Sequence, residues 1–302
     1  MEYILTTENL TKAYGKAVAA GDINIHIKKG DVYGLIGRNG AGKTTILKML
    51  AGLSTPSRGS FTFMGKTGKE LKKYRNKIGS LIETPSLFPA MSAFQNVKLK
   101  CLSFGINDDG YVNSLLEQVG LANVGKKNAQ SFSLGMKQRL GIAMALVGNP
   151  EFIILDEPIN GLDPQGIAEM RVIINRLSKE MGMTVIVSSH ILDELVKVAD
   201  SFAIINGGKL MDEFSASELF ERCNQHLLLN VTNSEKAKKS LTKMGIDGCV
   251  IVDGKTLKIT SSVEDSSKIT KKLVEDGVGV YEISFKRMTL EEYYLERTGG
   301  NV

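Results

Sequence analysis

No stretch of the 302 residues approaches the ~18 consecutive apolar residues of a membrane-crossing helix, so the chain is expected to carry no span of its own. The first residues, Met1-Glu2-Tyr3-Ile4-Leu5, lack a basic segment followed by a long apolar stretch, and a secretory leader is not expected. Cysteine is scarce. Cys101, Cys223 and Cys249 stand far apart without CxxC spacing, which favours core thiols in a reducing compartment over disulfide partners or metal ligands. The expected location is therefore the cytosol. What is present is ordinary for a globular protein of about two domains: 42% hydrophobic residues and a mean hydropathy of −0.04. The net charge is +5, and lysine pairs such as Lys28-Lys29, Lys72-Lys73 and Lys271-Lys272 are dispersed along the chain. Such a balance suits an anionic membrane or a nucleic acid and does not separate the two.

Against this background one run is specific. Gly37-Arg38-Asn39-Gly40-Ala41-Gly42-Lys43-Thr44-Thr45 fits G-x-x-x-x-G-K-[ST]. Val32 to Ile36 reads as a short apolar strand before it, and Thr44 to Leu50 as a helix start with apolar residues at helical spacing. In such a strand-to-helix turn, backbone N–H groups and the helix N-terminus converge on phosphates, Lys43 reaches the β and γ groups, and the Thr44 hydroxyl ligates Mg²⁺. The chain is expected to bind a nucleoside triphosphate.

The surrounding pattern predicts an α/β protein. Tyr3 to Leu10 and Ile23 to Ile27 alternate as strands, so an antiparallel layer precedes the nucleotide-binding core. Lys69 to about Pro150 reads as mainly helical, with Gly120 as a stop. Strands resume at Phe152 to Leu155 and Thr184 to Ser188, separated by a helix over Gly166 to Met181, as in a parallel sheet with crossovers. Phe202 to Ile205, Asn206-Gly207-Gly208 and Lys209 to Met211 suggest a hairpin. The reading divides the chain into residues 1–220 and 221–302. The second part follows strand, helix, strand, strand, helix, strand, the split βαβ or ferredoxin-like order, with helices at Glu235 to Met244 and Asp265 to Asp276. A last helix begins at Thr289, with a Thr289/Glu292 capping box and a Met288/Tyr293 staple.

Downstream segments refine the nucleotide reading. Phe152 to Leu155 ends in Asp156 and Glu157: Asp156 is placed to hold Mg²⁺ through its water shell, and the differently pointed Glu157 to polarise an attacking water. Ser133 and Gly135 precede an apolar helical run, at a helix N-terminus that favours an anionic ligand. Asn160-Gly161-Leu162-Asp163 makes a turn. His190 follows a strand parallel to the one bearing Glu157, on the carboxyl edge where α/β ligands bind.

Together these segments, in this order over roughly the first two-thirds of the chain, resemble the ATP-binding-cassette family of ATPases. The resemblance implies a cassette fold of antiparallel layer, α/β core and helical subdomain. It also implies ATP and Mg²⁺ as ligands, and a head-to-tail dimer with a second copy or a paralogous ATPase. In that dimer ATP lies between the phosphate loop of one subunit and Ser133 and Gly135 of the other. By the same resemblance Glu157 is the general base, His190 contacts the γ-phosphate, Asp163 marks the family's turn after the carboxylates, and Tyr14 stacks on adenine. A lone aromatic at Tyr14 reads equally well as core filler.

Two departures narrow the resemblance. The signature reads Phe132-Ser133-Leu134-Gly135-Met136, and Glu83 stands where the family usually carries glutamine. Both, with the closing run from Leu290 to Gly300, are similar to the subgroup exporting bacitracin, lantibiotics and related peptides. Glu83 then falls between the Mg²⁺ site and the face meeting a membrane subunit, adding a carboxylate to Thr44 and Asp156 and coupling hydrolysis to transport. A separate permease must carry the pathway, which puts the chain on the inner face of the cell membrane. The alternative is a soluble cassette ATPase acting on ribosome or nucleic acid. Such relatives need two cassettes in one chain or long coiled coils, and the motifs occur once with no heptad run, so no nucleic-acid partner is expected.

Overall fold

The computed structural model describes residues 2–222, 225–260, 266–287 and 289–299; the readings at Cys223, Asp265, Met288 and Gly300 lie outside them. The chain forms two compact units, Met1–Ala216 and Ser217–Val302, against an expected division after residue 220.

In the first unit the long strand Tyr3–Tyr14 is the hub of an antiparallel layer, pairing with Ala17–Ile23, His26–Lys28 and Arg58–Phe63. The sequence suggests one strand over Ile23 to Ile27. The structure breaks it, because the Asn24 side chain turns back to accept the Asn9 N–H at 2.7 Å, and Asn9 itself sits at φ 49°. Arg58–Phe63 escapes the sequence reading, since only its last turn of alternation, Phe61 and Phe63, is buried.

The core sheet runs in the order Lys209–Ser215, Ser201–Asn206, Val32–Ile36, Thr184–Ser189, Phe152–Asp156, Ile78–Leu81. All neighbours are parallel except the first pair, the expected hairpin. Val32–Ile36, Phe152–Asp156 and Thr184–Ser189 are buried at every position. Parallel strands covered on both faces need apolar residues without alternation, which is why these three stand out as continuous runs. The buried Tyr33 hydroxyl donates to Glu213 of the edge strand Lys209–Ser215, whose carboxylate also accepts the His26 N–H at 2.7 Å and so ties the antiparallel layer to the core sheet. Burial, reinforced by the Glu213 charge, pushes the Tyr33 phenol well above its ordinary range.

The segment expected to be helical carries Ala93–Ser103, Asp109–Gln118 and Leu134–Ala145, begun by side-chain caps from Ser92, Asp108 and Ser133. It also carries the short strand Ile78–Leu81, hidden in sequence because Ile-Gly-Ser-Leu shows neither period. Gly79 is essential to its seat: a Cβ there would lie 2.2 Å from the Ala145 carbonyl oxygen. Gly79→Ala is expected to cost about 2 kcal/mol, as overpacking against rigid backbone does, and to lower the urea midpoint accordingly. An unchanged midpoint would remove this contact from the packing account. The helix expected over Gly166 to Met181 appears as Pro164–Asn175 running into a wide π turn, Arg176–Glu180.

In the second unit, Cys249–Ile251, Thr256–Ile259, Gln225–Val231 and Val280–Arg287 lie in that spatial order, all antiparallel. Helices Ser234–Lys243 and Ser266–Glu275 supply Leu241, Ile269 and Leu273 to a core with Leu227, Leu229 and Leu257. The last helix, Leu290–Thr298, opens on a capping box: Thr289 Oγ1 accepts the Glu292 N–H at 3.1 Å while Glu292 Oε2 accepts the Thr289 N–H at 2.7 Å. Cys101 and Cys249 are buried free thiols, and burial raises both above the usual thiol range.

Candidate functional site

The loop Gly37 to Gly42 joins the central strand Val32–Ile36 to helix Lys43–Leu50. Two of its glycines answer to geometry. Gly42 has φ 106°, and a Cβ there would lie 2.4 Å from the Ala19 carbonyl oxygen; a Cβ on Gly37 would lie 2.6 Å from that of Ile205. No side-chain oxygen caps the helix, so its first turn presents backbone N–H groups at the loop. The hairpin turn Gly207-Gly208 closes the loop from the side, with the Gly208 N–H donating to Ala41 at 2.9 Å.

Inside this cradle lies a chain of polar contacts. Lys43, 5% exposed, donates to the Gly37 carbonyl at 2.6 Å and to that of Arg38 at 3.3 Å, and its Nζ lies 3.0 Å from Glu157 Oε1. The last contact is an ion pair without hydrogen-bond alignment. Thr44 Oγ1 donates to Asp156 Oδ2 at 2.8 Å. Ser188 Oγ donates to Asp156 Oδ1 at 2.6 Å and accepts the Glu157 N–H at 2.8 Å. Glu157 Oε2 meets His190 Nδ1 at 2.8 Å.

The backbone explains why two adjacent carboxylates serve different partners. Asp156 ends its strand directly opposite Ser188 of the parallel neighbour. Glu157 then adopts φ 49°, a left-handed conformation that costs a non-glycine residue roughly 1–2 kcal/mol. The turn aims its side chain at Lys43 and His190, away from Thr44. A cleft of about 420 Å³ opens over this chain, lined by Val18, Ala19, Asn39 to Thr45, Glu157, Gly207 and Gly208.

Tyr14 ends the hub strand opposite Ala17, 55% exposed, with the Lys12 ammonium 5.1 Å above its ring. It is not core filler. Ser133 caps helix Leu134–Ala145, its Oγ accepting the Met136 N–H at 3.3 Å, and Asp163 caps Pro164–Asn175 through the Gly166 N–H at 3.0 Å. With Gly135 they line a second cleft, of about 440 Å³, that shares no residue with the first. A Cβ on Gly135 would meet only Leu162 Cδ2, at an ordinary 3.6 Å.

The structure brings Lys43, Thr44, Asp156, Glu157 and His190 together and groups Ser133, Gly135 and Asp163 elsewhere. Glu83 joins neither group: its backbone is left-handed at φ 61°, and its Oε1 lies 2.7 Å from Lys48 Nζ. Among the described residues no three His, Cys, Asp or Glu side chains gather as a metal site. A hydroxyl and a carboxylate at a phosphate loop nevertheless suit Mg²⁺, which takes few protein oxygens and keeps waters and substrate phosphates. Sequence reasoning missed Ser188, for which the strand register was the only signal. It also missed Lys48 and the Ala19/Gly208 wall, which no local pattern announces.

Comparison with known proteins gives a consistent setting. Residues 20–160 match the family described as ABC transporter. The bacitracin transport ATP-binding protein BcrA of Bacillus licheniformis is 39% identical over 302 residues, covering 99% of this chain and 99% of its own. The lantibiotic transport ATP-binding protein SrtF of Streptococcus pyogenes is 44% identical over 228 residues, 75% of this chain and 98% of its own. Among solved structures, cbiO1 from Clostridium perfringens, part of an ABC transporter complex, superposes with a TM-score of 0.67 at 29% identity, over 81% of this chain and 97% of that one. An ATP-binding cassette solved as a dimer with ADP and Pi gives 0.64 at 26% identity, over 70% and 98%.

Proposed function

The chain belongs to the ABC transporter family as an ATP-binding subunit that hydrolyses ATP, and from that premise we propose that it powers export of a bacitracin- or lantibiotic-like peptide. The observation that carries the catalytic reading is the continuous polar chain from Lys43 through Glu157 to His190 beneath the phosphate loop. The peptide class rests on BcrA, aligned over nearly the whole of both chains.

In this reading the Gly37-to-Gly42 turn and the first turn of helix Lys43–Leu50 cradle the phosphates, and Lys43 neutralises the β and γ groups. Tyr14, exposed at the end of the strand that pairs with the one carrying the cleft residues Val18 and Ala19, stacks on the base. Thr44 and Asp156 would hold Mg²⁺, which would supply charge neutralisation for the phosphates. Glu157 takes the proton of the attacking water. His190, oriented through Nδ1 by that carboxylate, keeps Nε2 for the γ-phosphate. Ser188 keeps the two carboxylates apart by bonding one side chain and the other's backbone.

Ser133 and Gly135 complete the site from a second cassette. Two facts support this. They line a cleft separate from Lys43, and among the described residues a Cβ at 135 would meet only Leu162, at an ordinary distance. Gly135→Asp is therefore expected to leave monomer stability unchanged, place a carboxylate against the partner's nucleotide, and abolish ATP-induced doubling of mass in light scattering. Unimpaired doubling would remove Gly135 from the interface.

The unit Met1–Ala216 serves as the ATPase domain and Ser217–Val302 as an accessory domain; four antiparallel strands with two helices support a ferredoxin-like reading of the latter. No helix among the described residues is long and apolar enough to cross a membrane, which supports a separate permease holding the chain at the inner membrane face. Tagged protein from detergent-solubilised membranes should bring down an integral-membrane subunit. Cells expressing both should tolerate more bacitracin or lantibiotic than cells carrying the Lys43→Ala chain. RNA recovered in place of a membrane protein, with unchanged tolerance, would overturn this reading in favour of the ribosome or nucleic-acid alternative.

A further inference from the structure

The loop after strand Ile78–Leu81 touches two helices that belong to the two separate clefts. On one side, Leu81 and Pro85 press on Gly141 of helix Leu134–Ala145, where a Cβ would lie 2.8 Å from Leu81 Cδ1 and 2.9 Å from Pro85 Cβ. On the other, Glu83 reaches helix Lys43–Leu50 through Lys48 at 2.7 Å. Its φ of 61° bends the loop so that the carboxylate faces that helix. Lys48 follows Thr44 by four residues, a spacing that stacks the two on one helix face with Cβ atoms roughly 5–6 Å apart. The Glu83 carboxylate is thus tied by a cation to the helix that carries Thr44, and its partner is Lys48, not the Thr44–Asp156 pair.

We propose that Lys48 is a positioning residue for Glu83, setting a balance between its own ammonium and a cation at Thr44 and Asp156 for that carboxylate. The inference rests on the Mg²⁺-ATP reading above. Carboxylates that share a neighbourhood repel, and the Lys48 ammonium, which feels the charges of both Glu83 and Asp156, offsets that repulsion. Its ammonium is held above the ordinary lysine range first by the hydrogen bond to Glu83, with the charges of Glu83 and Asp156 adding to it against partial desolvation. Lys48 is one-third exposed and Glu83 more than half, so the pair adds little to fold stability. An exposed pair of this kind shifts an equilibrium by about 1.4- to 5-fold, enough to tune cation occupancy at a neighbouring site.

The test is equilibrium binding of a fluorescent ATP analogue to the full chain, titrated with MgCl₂, so that no turnover is required. Lys48→Met should lower the Mg²⁺ midpoint about threefold, because the ammonium no longer repels the cation or retains Glu83. In a Glu83→Gln background the same substitution should move the midpoint by less than half as much. Lys48→Arg, which keeps the pair, should hold the parent value, and equal melting curves would exclude unfolding as the cause. An identical shift in both backgrounds, or none in either, overturns the role of Lys48. A parent chain whose analogue binding ignores Mg²⁺ would overturn the reading beneath it.

Discussion

Glu157→Gln is expected to lower ATP turnover by about 10²- to 10⁴-fold, the range lost when a positioned general base is removed, while ATP still binds. The geometry gives the reason for both halves. Glu157 is turned out of its strand at φ 49°, braced by Ser188 on its backbone and His190 on its side chain, so its carboxylate is held at the cleft and not in the sheet. Gln fills the same space and keeps a carbonyl oxygen for His190, yet accepts no proton from water at neutral pH. It also removes the negative charge 3.0 Å from Lys43 Nζ, which leaves that ammonium freer for phosphate. ATP affinity should therefore stay at or above the parent value. Single-turnover hydrolysis and equilibrium binding measured side by side separate the two, and turnover within a few-fold of parent would take Glu157 out of the chemistry.

Lys43→Ala should instead act on binding. Lys43 and a bound phosphate would form a buried, hydrogen-bonded charge pair, and truncating one member of such a pair costs about 2–5 kcal/mol, or roughly 30- to 5,000-fold in affinity. Lys43 is 5% exposed and contacts two loop carbonyls as well as Glu157. Alanine would strip the γ-phosphate of its cation and leave Glu157 without one, setting a carboxylate against an incoming triphosphate. The measurements are ATP binding by calorimetry and antibiotic tolerance in cells, both expected to fall to background while circular dichroism stays native. Parent-like ATP affinity in this variant would falsify the phosphate-loop assignment.

These two residues differ in how far their placement was legible. Lys43 and Thr44 follow from a contiguous pattern, because a phosphate loop is built from consecutive backbone groups and a helix start, and every requirement lies within a few residues. The strands around it were equally legible, since parallel strands buried on both faces must be apolar throughout. Ile78–Leu81 and Arg58–Phe63 were not, because an edge strand of four residues and a half-buried one carry no such run. The reach from Asp156 to Thr44, 112 residues apart in the chain, depends on which strands are neighbours, and no local signal encodes that.

Glu83 marks the limit from the other side. The sequence places an unusual carboxylate in a known loop and suggests a cation ligand. The structure turns it onto Lys48, 35 residues earlier in the chain, and makes it one half of an ion pair. By itself, the sequence determined that this protein binds a triphosphate, the strand and helix that flank the phosphate loop, and the order of elements from Gln225 onward, for these rest on local spacing and burial period. Only the tertiary structure decided that Ser188 braces both Asp156 and Glu157, that Asp156 reaches Thr44 while Glu157 reaches Lys43 and His190, and that Lys48 holds Glu83. Each of those depends on strand register or on contacts between segments distant in the chain, where Coulomb and hydrogen-bond partners are chosen by folding and not by neighbourhood.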